Sequence, residues 1–222
     1  METELKLRFV RADDLEDFLA DPWLHQLTMP DSRIITQMIS HYLDTADRLM
    51  TQRKISLRVR EEDDRRILTV KSDGQSKNGL HQRPEWSLAL EDDWSDFLQA
   101  GLDTEWFYRH AVSQGDSDDQ LHEILTGLDG QPLVEIGRIR FTRTAFDVGY
   151  GDTLMELALD QGEIIVGRIT EPINELELEL REGDVRDLMA LGEELTGKFA
   201  LVPETMSKFA RCLSLMVGQE NQ

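Results

Sequence analysis

Along residues 2–9, ETELKLRF, polar and apolar positions alternate without a break. Glu2, Glu4, Lys6 and Arg8 fall on one side of an extended chain, and Thr3, Leu5, Leu7 and Phe9 on the other. Period two is the mark of a β-strand with two unlike faces. Strand-like alternation recurs at 35–44, 54–61, 66–72, 83–90, 138–148, 153–160 and 173–181. The DDRR turn at 63–66 joins two of these as a hairpin, and Gln161-Gly162 predicts another turn. Helical spacing is confined to 12–20, 92–100, 184–197 and 203–217, the last with Pro203 near its start, where proline is tolerated. Residues 102–132 read as a polar loop, 113–120, followed by a short helical piece, 121–128. There is no repeat of solenoid period and no long low-complexity linker. Eight strands joined mostly by short turns predict an α+β fold, an eight-stranded antiparallel barrel with helices packed outside.

For any one strand, a polar face turned to water is explanation enough. The set departs from that. The polar faces carry long ionised groups with few Ser or Thr, and sign segregates by strand. Bases stand at 58, 60, 71 and 83, and acids at 156, 160, 175, 177 and 179. Like charges two apart on one strand face repel, so the stack Glu175, Glu177, Glu179 costs stability unless a cation compensates it. The pattern predicts a barrel with a charged interior whose apolar faces pack outward against the helices. Clustered Arg and Lys suit phosphate oxygens, which Arg holds in bidentate fashion. Clustered carboxylates without His or Cys suit a hard cation such as Mg2+ or Mn2+. Together they describe a polyphosphate bound with its metals.

Composition narrows the choice. The chain has 222 residues, 40% of them hydrophobic, enough for a real core in one large domain or two small ones. A net charge of −20 repels nucleic acid and anionic membranes, so neither is expected as a partner. No apolar run is long enough to span a membrane, and no basic-then-apolar leader opens the chain. The single cysteine, Cys212, excludes an internal disulfide and a multi-cysteine metal site, and the expected setting is the cytoplasm. Neither a P-loop nor a G-x-G-x-x-G motif occurs, and the histidines at 25, 41, 81, 110 and 122 lack metal-ligand spacing.

These residues carry a resemblance. ETELK at 2–6 matches the E-x-E-x-K signature of the CYTH family, the triphosphate tunnel metalloenzymes. LRVR (57–60), LTVK (68–71), FTRTAF (141–146), ALDQGE (158–163), EPINELELEL (171–180) and MSKFAR (206–211) follow in family order. GLHQRPEW (79–86) and ALDQGE resemble the bacterial inorganic triphosphatase branch in particular. Many bacterial members continue into a C-terminal helical domain called CHAD, which the 222 residues do not include. The expectation is a single CYTH domain over 1–222, or a truncation of a longer protein, with 102–132 a possible insertion that matches no family motif.

The resemblance implies an eight-stranded barrel around a tunnel, closed by a C-terminal Ser-Lys helix. It implies that Lys6, Arg8, Arg58, Arg60, Lys71, Arg83, Arg143 and Lys208 contact phosphate. Glu2, Glu4, Glu177 and Glu179 would hold Mg2+ or Mn2+, with Asp160 and Glu175 close by. Glu85 would partner a tunnel base, Arg143 is preferred over Arg140, and Arg211 is open between tunnel and surface. The implied reaction is hydrolysis of inorganic triphosphate (PPPi) to pyrophosphate and phosphate. Metal would bridge phosphate oxygens and acidify a water, which Glu2 and Glu4, beside Lys6, orient and deprotonate, with Lys208 also in the catalytic set. A class IV adenylate cyclase, a thiamine or nucleoside triphosphatase on the same fold, and a polyphosphate-binding module without catalysis are the alternatives. Monomer and homodimer are both open.

Overall fold

The computed structural model describes residues 1–11, 13–91, 94–113 and 119–220. Parts of three expected features, at 12, 92–93 and 114–118, lie outside the described residues. The first half of the chain runs β1 (Glu2–Phe9), α1 (Asp14–Ala20), α2 (Pro22–Leu27), β2 (Ile34–Thr45), α3 (Leu49–Gln52), β3 (Ser56–Glu62), β4 (Arg65–Lys71), β5 (Gln75–Lys77), β6 (Leu80–Arg83) and β7 (Glu85–Leu90). The second half runs α4 (Phe97–Ala100), α5 (Thr104–Ser113), α6 (Asp119–Leu125), β8 (Leu133–Tyr150), β9 (Thr153–Val166), β10 (Ile169–Glu182), α7 (Val185–Lys198), β11 (Leu201–Pro203) and α8 (Lys208–Glu220).

All the pairings between these strands are antiparallel, in the order β5-β6-β1-β10-β9-β8-β2-β3-β4-β7, with β11 beside β1. Among the described residues that is eleven strands where sequence periodicity predicts eight. The difference has a physical source. β6 and β7 are separated by Pro84 alone, and proline has no N–H to give a ladder. The first half of this broken strand pairs with β1 and the second half with β4, so one kinked segment joins the two ends of the sheet and curls it round. With β6 and β7 taken as one, and β5 and β11 as short additions, eight main strands remain.

The alternation of β1, β3, β4 and β10 separates two interiors. Outward-facing Leu5, Leu7, Leu176 and Leu178 pack with Leu188, Leu191 and Leu195 of α7 and Phe18 of α1. Leu57, Val59, Leu68 and Val70 are covered by Phe107 of α5, Leu121 and Leu125 of α6, and Leu128. The described parts of 102–132 thus contribute to the outer apolar layer. No described helix is long and apolar enough to cross a membrane.

Two local expectations fail. Gly162 is not at a turn: β9 runs straight through it, and the turn falls at Gly167-Arg168. A Cβ on Gly162 would sit 2.1 Å from the Arg140 carbonyl oxygen, so the glycine serves a close approach of β8 and not a reversal. Pro203 ends the edge strand β11, and α8 begins only at Lys208. There the Ser207 hydroxyl accepts from the Ala210 N–H at 3.1 Å and caps the helix.

Candidate active site

The polar faces of the strands surround a cavity of about 560 Å3. Nine of the 24 Lys and Arg residues line it, against seven of the 44 acids. An anionic protein therefore concentrates positive charge in its interior, the arrangement expected for a highly charged anionic ligand.

The period-two pattern places Arg58 and Arg60 side by side on β3, with Lys71 from β4 and Arg83 from β6 beside them. Arg58 is weakly held: its guanidinium is 3.4 Å from the Thr69 hydroxyl and 4.0 Å from Glu85. The Nε–H groups of Arg58 and Arg60 are buried without partners. Burial, with Arg58 and Arg143 nearby, outweighs the Glu62 ion pair and lowers Arg60 to about 10. Burial likewise lowers Lys71, although Glu2 and Glu85 pair with it at 2.8 and 2.6 Å. Arg60 and Lys71 are thus short of negative charge, whereas against burial Tyr42, Glu85 and Glu2 raise Arg58, and Glu4 and Glu2 raise Arg83.

Deeper in the wall the charges balance. Glu177 accepts from Lys6 at 2.5 Å, Lys208 at 2.7 Å and Arg143 at 2.5 Å. Arg143 also forms a bidentate pair with Asp160, both bonds 2.7 Å. Lys208 reaches Asp160 and Glu175, each at 2.8 Å, and Arg211 also pairs with Glu175. Burial opposes ionisation of Glu177, but Lys208, Lys6 and Arg143 hold its carboxyl well below the ordinary range. The same balance raises Lys208 well above its ordinary value, through Asp160, Glu175 and Glu177. This hub fastens the start of α8 to β8, β9 and β10.

Glu2, Glu4, Glu156 and Glu179 bring acids to the lining beside these bases. Glu2 pairs with Lys71 and Arg83, and Glu4 with Arg83 at 3.1 Å and Lys6 at 2.9 Å. Glu179 faces Glu4 across β1–β10 and Glu156 across β10–β9. Burial raises Glu179 to about 7; Arg181, 2.7 Å away, opposes this, and Glu2, Glu156 and Glu4 reinforce it. A carboxyl so placed lacks positive charge. Among the described residues, no three Asp, Glu, His or Cys side chains are already gathered as a metal site.

The family model described as the CYTH domain matches residues 1–213. The chain belongs to the CYTH family. It is 32% identical over 156 residues to the inorganic triphosphatase of Haemophilus influenzae, a match covering 69% of this chain and 39% of that protein. The chain thus spans well under half the length of this curated relative. Among solved structures, a Hippeastrum protein named for adenylyl cyclase, with a dominant triphosphatase activity, superposes with a TM-score of 0.69 at 20% identity, over 96% of both chains. A Bacillus halodurans protein named for adenylate cyclase gives 0.54 at 18% identity, over 95% of this chain and 98% of that one. Both show the CYTH fold.

Within this CYTH chain, Glu2, Glu4, Lys6, Arg58, Arg60, Lys71, Arg83, Arg143, Glu177, Glu179 and Lys208 all reach the cavity, and Glu85 does partner Lys71. Arg140 is exposed while Arg143 points inward, as the spacing expects. Three expected site residues lie elsewhere. Arg8 shares the polar face of β1, but its side chain is 52% exposed and lies 3.8 Å from Glu204, in a separate cleft with Glu171 and Arg211. Lys208, carried in by α8, separates that cleft from the main cavity through its hub. Asp160 and Glu175 are buried outside the cavity lining and ion-paired with Arg143, Lys208 and Arg211. Arg211 belongs to the separate cleft. Arg181 and Tyr42 line the cavity without having been expected there, and Glu156, counted among the acids of the charged interior, lines it without having been named a site residue. Register could have found them: Glu156 lies opposite Glu179, Arg181 two residues beyond it, and Tyr42 opposite Arg58.

Proposed function

We propose that this CYTH domain hydrolyses inorganic triphosphate to pyrophosphate and phosphate inside the charged cavity. The observation that carries the reading is the cationic wall of Arg58, Arg60, Lys71 and Arg83, with Arg60 and Lys71 under-neutralised, lining one cavity with the carboxylates of Glu2, Glu4, Glu156 and Glu179. The resemblance to the Haemophilus inorganic triphosphatase supports it. The reading treats 1–222 as one domain.

The cavity lining offers oxygen donors and no His or Cys, and the raised Glu179 carboxyl marks where positive charge is missing. Those residues fit a hard divalent cation, Mg2+ or Mn2+, held by Glu2, Glu4, Glu156 and Glu179. When bound it would neutralise phosphate charge and make water more acidic. The side chains do the rest. Arg58, Arg60, Lys71 and Arg83 take phosphate oxygens, and Lys6, Arg143 and Lys208 supply charge from the hub. As phosphate occupies Lys71 and Arg83, Glu2 loses both of its basic partners and Glu4 keeps only Lys6. They are then free to orient a water and accept its proton beside Lys6. No protein nucleophile is needed, because positioning and charge compensation supply most of phosphoryl-transfer catalysis.

The test is phosphate release from PPPi, ATP and thiamine triphosphate in turn, each with Mg2+ or Mn2+, with cyclic AMP assayed in parallel. PPPi should have the highest kcat/KM. Cyclic AMP as the main product from ATP, or no phosphate release with either metal, would overturn the assignment.

A further inference from the structure

A second chamber, about 290 Å3, adjoins the main cavity where α8 begins. Ser56, Lys71, Arg83, Ser207 and Phe209 line both spaces, so the two adjoin across these side chains. Beyond these shared residues the chamber holds Lys54, whose ammonium pairs with Asp73 at 2.7 Å, and the residues Thr51, Ser72, Ser76 and Thr205. The Lys54–Asp73 pair is exposed, so little free energy holds it closed.

The cleft on the other face of α8 is chemically different. It is walled by Glu171, Glu175 and Glu204 with Arg8 and Arg211, and those bases are already turned to its own acids. An anion extending inward from the main cavity meets compensated, acid-rich walls there. In the second chamber it meets Lys71, Arg83, Lys54 and hydroxyl donors, against one carboxylate that is itself tied to Lys54. A linear polyphosphate carries its charge evenly along its length, so each further phosphoryl group needs this kind of lining.

We propose that the second chamber is a subsite for the further phosphoryl groups of linear polyphosphates longer than triphosphate, with Lys54 leaving Asp73 to take a phosphate oxygen. The proposal rests on the triphosphatase reading for the placement of the first three phosphates. It makes Lys54 a specificity-determining residue for chain length and leaves the hydrolysed bond unchanged.

Binding of tripolyphosphate and tetrapolyphosphate to the whole chain by titration calorimetry, with KM values for both, tests this. The wild type should bind tetrapolyphosphate about 5-fold more tightly than tripolyphosphate, the gain an exposed charge pair can supply. Lys54→Gln should erase that gain and leave tripolyphosphate within about 2-fold, while Lys54→Arg retains it. Ser76→Trp, on the exposed edge strand β5, should fill the chamber and act like Lys54→Gln. Tetrapolyphosphate binding no tighter than tripolyphosphate in the wild type would overturn the proposal, as would equal losses for both ligands in Lys54→Gln. Calorimetry needs no turnover. Tight binding of both anions without hydrolysis would therefore defeat the triphosphatase reading and leave the subsite standing.

Discussion

Glu177 and Glu179 stand two residues apart on one face of β10, yet replacing each with glutamine should move stability in opposite directions. Glu177 is the counter-ion of Lys6, Lys208 and Arg143, all within 2.7 Å, and its side chain is 8% exposed. Its carboxyl is held below the ordinary value of 4.5, so its stabilisation is present above pH 4.5 and is lost only as pH falls through the lower folded value. Removing one partner from a buried ion pair costs about 3–5 kcal/mol. Glutamine keeps an acceptor oxygen, so Glu177→Gln should fall near the low end, about 3 kcal/mol at neutral pH and above.

Glu179 has the reverse sign. Burial, with Glu2, Glu156 and Glu4, lifts it from 4.5 to about 7 against the pull of Arg181. A group raised on folding contributes fully below pH 4.5 and loses that contribution as pH climbs through about 7. The interval from 4.5 to about 7, at about 1.4 kcal/mol per pH unit, sets a ceiling of about 3 kcal/mol. Metal-free Glu179→Gln should therefore be more stable than wild type at pH 8.5 by up to that amount, with the gain vanishing toward pH 4.5. Urea unfolding in a chelating buffer at pH 8.5 and pH 4.5 reads both variants. Mg2+ should then stabilise the wild type more than Glu179→Gln. The same sign of change for both variants at pH 8.5, or a Glu179→Gln gain that does not depend on pH, would refute the division of β10 into compensated and uncompensated acids.

Arg58→Ala should raise KM for PPPi about 10-fold or more with little loss of stability, because its buried Nε–H has no partner to lose. Arg8→Ala should leave KM within about 2-fold, since Arg8 faces Glu204 outside the cavity; a larger steady-state effect would return it to the binding site. Asp44→Ala should lower the urea midpoint by the equivalent of about 2–4 kcal/mol without altering KM. Asp44 is fully buried and accepts from the Thr45, Met50 and Thr51 N–H groups at 2.8, 2.9 and 3.1 Å and from the Thr51 hydroxyl at 2.6 Å.

Period two was enough to place the main strands and to say which residues share a face, because one slip of register would turn every Leu of β10 into the cavity and every Glu out. What escaped it depended on the neighbouring chain. Gly162 looks like a turn residue until the Arg140 carbonyl is set against it, and Pro203 looks like a helix start until β1 claims Leu201–Pro203 as an edge strand. Arg8 has the period of a site residue, and only the third dimension puts the hub between it and the cavity.

The glutamate stack shows the same limit at the level of chemistry. From the sequence, three like charges in a row call for a cation, and a bound metal is one answer. The fold supplies another for two of the three. Glu175 and Glu177 are compensated by Lys208 and Arg211 from α8, with Lys6 and Arg143 from the strands beside them. Those contacts join residues more than thirty positions apart, beyond the reach of local pattern. Only at Glu179, where β10 meets Glu2, Glu4 and Glu156 and the one basic partner is the half-exposed Arg181, does the deficit persist. The uncompensated charge is thus concentrated at one end of the stack, where the proposed metal would sit, and the inner acids hold α8 in place.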